Sequence, residues 1–127
     1  MKVLIADHKE NVRYGLRALL EEQPQVEQVL EAKSFKDLLS LILIDCPNLI
    51  LLSWELPGQS GETLMKSMRL ICPDVHIVVV SSQPGVAEVA LNLGADDFVS
   101  KTDAPEKLLA IIKKVFSSSP AELASRE

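Results

Sequence analysis

The sequence predicts an α/β fold in which helices cover both faces of a parallel five-stranded sheet. Five short apolar runs recur along the chain, and the segments between them place apolar residues at helical spacing. The third and fourth runs, at residues 49–52 and 77–80, are apolar throughout, which is typical of strands buried on both faces of a sheet. Strands that alternate with helices in this way form βαβ units with right-handed crossovers.

The individual elements follow from these runs and from the spacing between them. Ser34 is suited to cap the second helix, and Pro47 and Pro73 are expected to end the second and third helices. The predicted strands are residues 2–6, 26–32, 48–53, 75–81 and 97–101. The apolar stripes of the first, third and fifth helices are Val12-Leu16-Leu19-Leu20, Leu64-Met68-Ile71 and Leu108-Ile112-Val115.

The second helix carries more apolar residues than a single stripe can hold. Some of them must therefore face solvent or a partner. We expect a contact surface centred on Leu43 and Ile44, and the alternative is a set of scattered exposed side chains, which are common. The residues concerned are Phe35, Leu38, Leu39, Leu41, Ile42, Leu43 and Ile44.

The composition fits one globular domain. The chain has 127 residues, of which 47% are hydrophobic and 24% charged. Residues 1–116 are expected to form this domain, with residues 117–127 as a linker or tail. The net charge of −5 disfavours direct binding to nucleic acid or to an anionic membrane. Cys46 and Cys72 lack metal-ligand spacing, and we expect them to be reduced in a cytoplasmic protein.

Four polar residues follow the predicted strands, where a site is expected. Open sheets of five parallel strands most often take the flavodoxin-like order 2-1-3-4-5 and bind ligands outside the carboxyl ends of the strands. Those ends carry Asp7, Ser53, Ser81 and Lys101. We expect Lys101 to pair with Asp7 at ion-pair distance, and Trp54 to lie at the rim of the pocket.

Several motifs at these strand ends resemble one known family. They are VLIAD at residues 3–7, LLS at 51–53 followed by LPGQSG at 56–61, VVSS at 79–82 and GADDFVSK at 94–101. Over residues 1–116 the sequence is similar to the receiver domains of bacterial two-component response regulators. The absence of a proline after Lys101 is most like the receivers that precede helix-turn-helix output domains.

The resemblance implies roles for individual residues. In that family an aspartate at the end of the third strand accepts a phosphoryl group from a histidine kinase, and an acidic pair after the first strand helps to hold Mg²⁺. By position, Asp7 corresponds to the first acid, Ser81 to the hydroxyl that contacts the phosphoryl group and Lys101 to the lysine that pairs with it. Phe98 corresponds to the aromatic residue that switches rotamer on activation.

The sequence departs from the family at two of these positions. The acceptor position holds Ser53, and His8 replaces the second acid. An aspartyl phosphate needs an ionised carboxylate nucleophile, and Mg²⁺ prefers carboxylate oxygens. We therefore expect no catalytic residue and no cofactor, with Mg²⁺ bound weakly at most through Asp7 and Glu55.

These observations predict a non-enzymatic, cytoplasmic pseudo-receiver that has lost aspartyl phosphorylation. It would act through dimerisation or a protein partner, such as a relative of a histidine kinase or a DNA-binding domain after residue 127, to control an output such as transcription. The alternative is a small flavodoxin-like ligand-binding protein or enzyme. That alternative lacks a glycine-rich phosphate loop after any predicted strand.

Overall fold

The computed structural model describes residues 1–103 and 105–117. Helices and strands alternate along the described chain: β1 (Lys2–Ala6), α1 (Glu10–Glu21), β2 (Gln28–Ala32), α2 (Phe35–Ile42), β3 (Leu49–Ser53), α3 (Gly61–Ile71), β4 (His76–Ser81), α4 (Val86–Asn92), β5 (Asp97–Ser100) and α5 (Pro105–Ser117). The predicted linker and tail lie outside the described residues from residue 118 onward.

The five strands form one parallel sheet in the order β2-β1-β3-β4-β5. This confirms the predicted flavodoxin-like (βα)5 topology. The register aligns Ala6 with Ala32 and Leu52, Ser53 with Val80, and Ser81 with Ser100. The carboxyl ends of all five strands therefore meet at one edge of the sheet.

The sheet separates two apolar cores, and β3 contributes to both. Its five residues are all buried. Because side chains alternate along a strand, Ile50 and Leu52 pack into the core under α2, α3 and α4. Leu49 and Leu51 pack into the core under α1 and α5. The uninterrupted apolar run thus reflects a central strand covered on both faces.

Two of the helices, α2 and α3, begin at serine residues that cap them. The Ser34 side chain accepts a hydrogen bond from the Asp37 backbone N–H at 3.2 Å, which confirms the predicted cap of α2. Ser60 caps α3 in the same way, accepting from the Thr63 N–H at 3.2 Å. No helix in the described ranges combines the length and the apolar character needed to cross a bilayer.

The second helix ends earlier than expected, so some of the apolar residues assigned to it lie in the loop that follows. α2 stops at Ile42, well before Pro47, and buries Leu38 and Ile42. Leu43 and Ile44 lie beyond the helix and are 67% and 84% exposed. α2 runs from the carboxyl end of β2 to the amino end of β3, so these two side chains lie at the edge of the sheet remote from the predicted pocket.

The expectation that the two cysteines are reduced is wrong for this structure. Cys46 and Cys72 form a disulfide, with their Cα atoms 5.7 Å apart. Cys46 precedes β3 and Cys72 precedes β4, and these strands are neighbours with Leu49 opposite His76. The parallel register therefore brings the two preceding loops together, a proximity that spacing along the sequence does not reveal.

Candidate functional site

The predicted polar residues lie together at the carboxyl edge of the sheet. Asp7 follows β1, Ser53 and Ser81 end β3 and β4, and Lys101 follows β5. Asp7, Ser53 and Ser81 are almost fully buried, each at most 2% exposed. Such groups must find polar partners within the protein, because water cannot solvate them there.

Asp7 and Lys101 form the predicted ion pair. Lys101 Nζ lies 3.1 Å from Asp7 Oδ2. The other carboxylate oxygen accepts a hydrogen bond from the Lys9 backbone N–H at 2.8 Å. The backbone N–H of Lys101 also donates to the Ser81 carbonyl oxygen at 3.0 Å, which fixes the lysine next to the end of β4.

The carboxylate of Glu55 bridges the two hydroxyl groups of the pocket. Ser81 Oγ donates to Glu55 Oε1 at 2.6 Å, and Ser53 Oγ donates to Glu55 Oε2 at 3.4 Å. Lys101 Nζ reaches Ser53 Oγ at 3.5 Å. Sequence reasoning considered Glu55 only as a metal ligand. The Leu56 N–H donates to the Ser53 carbonyl oxygen at 3.2 Å and closes a turn after β3. This turn directs the chain back towards the pocket.

Arg13 supports the pocket from α1, and sequence reasoning missed it. Its side chain is buried, with Nη1 donating to the Asp7 carbonyl oxygen at 2.9 Å and Nε donating to Glu31 Oε1 at 3.0 Å. Glu31 also accepts a hydrogen bond from Arg17. The pKa of the Arg17 guanidinium is raised, mainly by its hydrogen bond to the Glu21 carboxylate and further by Glu31. An arginine on an amphipathic helix is normally exposed, so only the acidic Glu31 on the neighbouring strand could have signalled this role.

Asp103 stabilises the turn that carries Lys101. Its carboxylate accepts from the Ser100 backbone N–H at 2.8 Å. This hydrogen bond, with a smaller contribution from Lys107, holds the pKa of the Asp103 carboxyl below its usual range. The turn that follows β5 is thereby closed on the residue before Lys101.

The remaining predicted residues lie at or away from the rim. His8 is exposed, with Nδ1 3.8 Å from Asp7 Oδ1. Trp54 is half-buried, and a Cβ atom on Gly61 would lie 2.2 Å from its Cε2, so the ring packs directly on the first turn of α3. Phe98 is half-buried on β5 against the core under α2, α3 and α4. Leu43 is at the opposite edge of the sheet, outside the pocket.

Both carboxylates of the pocket are already bound to hydrogen-bond donors or to a cation. Asp7 is held by Lys101 and the Lys9 N–H, and Glu55 by the two hydroxyls. Within the described ranges, no group of three or more His, Cys, Asp or Glu side chains is placed to hold a metal ion. The geometry is that of a closed polar network at the end of the sheet.

A (βα)5 sheet with an acid, two hydroxyls and a lysine at its carboxyl edge is the arrangement that the resemblance to receiver domains implies. A family model described as the response regulator receiver domain matches residues 3–113. The chain therefore belongs to the response regulator receiver domain family, as the motifs predicted.

Curated relatives are transcriptional regulators of about twice this length. The chain is 29% identical over 119 residues to the transcriptional activator protein ExaE of Pseudomonas putida, an alignment that covers 92% of this chain and 56% of that protein. It is 33% identical over 111 residues to the uncharacterized transcriptional regulatory protein YhcZ of Bacillus subtilis, covering 86% and 52%. The chain thus spans about half the length of these relatives.

Solved structures share the fold closely. A two-component response regulator from Clostridium difficile has a TM-score of 0.81 at 27% identity, with 91% of this chain and 94% of that chain covered. RcsB from Salmonella enterica serovar Typhimurium, solved bound to the promoter rprA in the presence of the phosphomimetic BeF3−, has a TM-score of 0.83 at 26% identity, covering 91% and 59%.

Proposed function

We propose that this receiver domain is not phosphorylated on aspartate and that it controls a transcriptional output through protein–protein contact. The observation that carries the proposal is the residue at the end of β3. Ser53 stands at the acceptor position, and its hydroxyl lies between Glu55 and Lys101 within the closed polar network. The proposed domain is non-enzymatic and cytoplasmic.

The chemistry of a serine at the acceptor position supports the proposal that the domain is not phosphorylated on aspartate. Phosphoryl transfer to an aspartate requires a carboxylate that is ionised at neutral pH, whereas a serine hydroxyl must first lose its proton to a base. The only carboxylate within hydrogen-bond distance of Ser53 Oγ in the described residues is Glu55, at 3.4 Å, and it accepts a much shorter bond from Ser81. The serine therefore lacks a well-placed base.

The donor set also argues against a Mg²⁺ cofactor. Mg²⁺ requires near-octahedral oxygen coordination through carboxylates, waters and phosphate oxygens. His8 offers a nitrogen in place of the second acid, and Ser53 offers a neutral hydroxyl. Lys101 Nζ, 3.1 Å from Asp7 Oδ2, already pairs with the one acid retained after β1, so a cation would have to displace it. We propose that the domain works without Mg²⁺.

The second part, signalling by contact, is supported by Leu43 and Ile44. These adjacent large apolar side chains are among the most exposed in the described chain, and they lie beyond the end of α2. The named relatives regulate transcription and extend beyond the region they share with this chain. We propose that the partner is a second copy, a relative of a histidine kinase or a DNA-binding domain, and that this domain binds neither nucleic acid nor membrane directly.

Restoring the missing acids tests the account of the acceptor. Ser53→Asp should give at most slow labelling by acetyl phosphate with Mg²⁺, because the metal site still lacks an acid at position 8. Ser53→Asp combined with His8→Asp should be labelled markedly faster, since nucleophile and ligand are both restored. Intact mass spectrometry over time measures the difference. Rapid labelling of the single variant would show that Asp7 and Glu55 already form a competent metal site.

Introducing charges at the exposed apolar pair tests the contact surface. Burying two such side chains contributes roughly 3–6 kcal/mol before the cost of association. Leu43→Glu with Ile44→Lys should therefore abolish self-association or partner binding in sedimentation velocity. Tyr14→Lys, at a residue 76% exposed on α1, is the matched control and should change nothing. The proposal fails if the native protein is monomeric and the double variant binds its partners unchanged.

A further inference from the structure

The disulfide joins two segments at the amino edge of the sheet, opposite the polar pocket. Cys46 lies in the loop between α2 and β3, two residues after the exposed Ile44. Cys72 is the residue that caps the carboxyl end of α3. The bond therefore ties the segment that carries Leu43 and Ile44 to the end of the neighbouring helix.

Both ends of the bridge are also held by contacts that do not involve sulfur. Asp45 pairs with Lys2 Nζ at 2.5 Å, and the Asn48 side-chain oxygen accepts from the Lys2 backbone N–H at 2.8 Å. On the other side, Arg69 Nη1 donates to the Val75 carbonyl oxygen at 2.6 Å. The core and the sheet can therefore persist when the sulfur bond is broken.

The two cysteine residues of the bridge are unequally exposed. Cys46 is exposed, whereas Cys72 is 1% exposed. A cavity of about 720 Å³ opens beside both, lined also by Pro47, Asn48 and Pro73, and it is within the size range of small-molecule sites. A small thiol can therefore reach the bridge, and attack on the Cys46 sulfur releases the buried Cys72 thiolate.

We propose that Cys46 and Cys72 are a site of reversible thiol–disulfide modification, and that the bond controls the mobility of the Leu43–Ile44 surface. The co-reactant is a low-molecular-weight thiol and its disulfide. In reduction, two thiol molecules become one disulfide, and the two protein sulfurs gain the two electrons and two protons; oxidation is the reverse exchange. The inference rests on the proposed function for its cytoplasmic location, where disulfides in proteins are usually transient and redox-sensing.

Reduction has two expected structural consequences. Opening a loop with a sequence separation of 26 residues removes a constraint on the unfolded chain, so the melting temperature should fall by about 5–15 °C. The loop from residue 43 to residue 46 should exchange its amide hydrogens at least about tenfold faster, while β4 in the centre of the core should exchange as before.

Equilibration with glutathione tests the proposal on the intact protein. The native chain is held in mixtures of reduced and oxidised glutathione. One portion is unfolded in guanidinium with N-ethylmaleimide, so that the buried Cys72 is also labelled, and is analysed by intact mass; a second, unalkylated portion is analysed by hydrogen exchange. We expect the doubly labelled form to rise with reduced glutathione, to fall again in the oxidised mixture, and to show the faster exchange at residues 43–46.

Cysteine variants distinguish the effect of losing the disulfide from any effect of glutathione itself. Cys46→Ser, at the exposed position, and Cys72→Ala should each show the fast exchange of residues 43–46 in both mixtures. The proposal is overturned if both thiols stay free in oxidised glutathione, if the native disulfide resists reduced glutathione until the protein unfolds, or if exchange at residues 43–46 is the same in both states. Any of these results leaves the acetyl phosphate experiments untouched, so failure here is distinguishable from failure of the proposed function.

Discussion

Ser53 and Glu55 are two residues apart on one turn, and together they determine the chemistry available in the pocket. The carboxylate is present, but it belongs to Glu55, which accepts hydrogen bonds from both serine hydroxyls. The residue at the end of β3 offers only a neutral oxygen. In the proposed account the pocket therefore keeps its polar groups, while a serine stands where the resemblance implies the aspartate nucleophile.

Removal of the lysine charge should destabilise the fold through Asp7. Lys101→Met leaves the buried Asp7 carboxylate without its cation. The backbone N–H of Lys9 is then its remaining hydrogen-bond donor among the described residues. We expect a loss of about 2–4 kcal/mol in the free energy of unfolding, measured by urea denaturation. Lys66→Met, at an exposed position of α3, is the control and should stay within about 0.5 kcal/mol of the native protein. Equal stability of the two variants would contradict a structural role for the pair.

The positions of the site residues and the pairing of Lys101 with Asp7 were predictable, but the inward direction of the Arg13 side chain was not. Asp7, Ser53, Ser81 and Lys101 follow from topology, because parallel strands bring their carboxyl ends to one edge. The burial of Arg13 depends on tertiary contacts with a neighbouring strand and with the loop after β1. Apolar periodicity contains no information about such contacts.

At the scale of elements, the junction between β3 and α3 leaves no room for a side chain at Gly61. A Cβ atom on Gly61 would lie 2.2 Å from Trp54 Cε2. Trp54 follows Ser53 directly, and its backbone N–H donates to the Val80 carbonyl oxygen at 3.0 Å. Any shift of the ring therefore occurs beside the pocket.

Two glycine substitutions should change stability in opposite directions. Gly61→Ala must displace the Trp54 ring and should cost about 1–3 kcal/mol. Gly15→Ala, on the exposed side of α1 where a Cβ would contact nothing within 4 Å, should gain about 0.5–1 kcal/mol from better helix propensity. Urea denaturation gives both values, and Trp54, the single tryptophan, should change its emission only in Gly61→Ala. A stable Gly61→Ala protein with native emission would show that the ring is not tightly packed there.

The elements themselves were largely predictable because their signals are local. The Ser34 cap and the apolar stripes depend on neighbouring residues, and the strand bounds agreed to within two residues at each end. The end of α2 at Ile42 was less predictable, because the apolar run continues past the point where the helix ends. The pairing of Cys46 with Cys72 required the strand order and the register together.

At the scale of the whole molecule, two candidate functional features lie at opposite edges of the sheet. The polar network closes the carboxyl edge, and the disulfide with Leu43 and Ile44 lies at the amino edge. The two apolar cores on either side of β3 separate these features. In the proposed account the family fold is kept as a scaffold, and contact at the amino edge takes over from phosphorylation at the carboxyl edge.

The most direct test is treatment of the unmodified protein with acetyl phosphate and Mg²⁺, followed by intact mass spectrometry. The doubly substituted protein, Ser53→Asp with His8→Asp, is the positive control that shows the reagent to be competent. Because Ser53 lacks an ionised carboxylate and a well-placed base, the native protein should keep its original mass. Efficient gain of the mass of one phosphoryl group by the native protein would contradict the account.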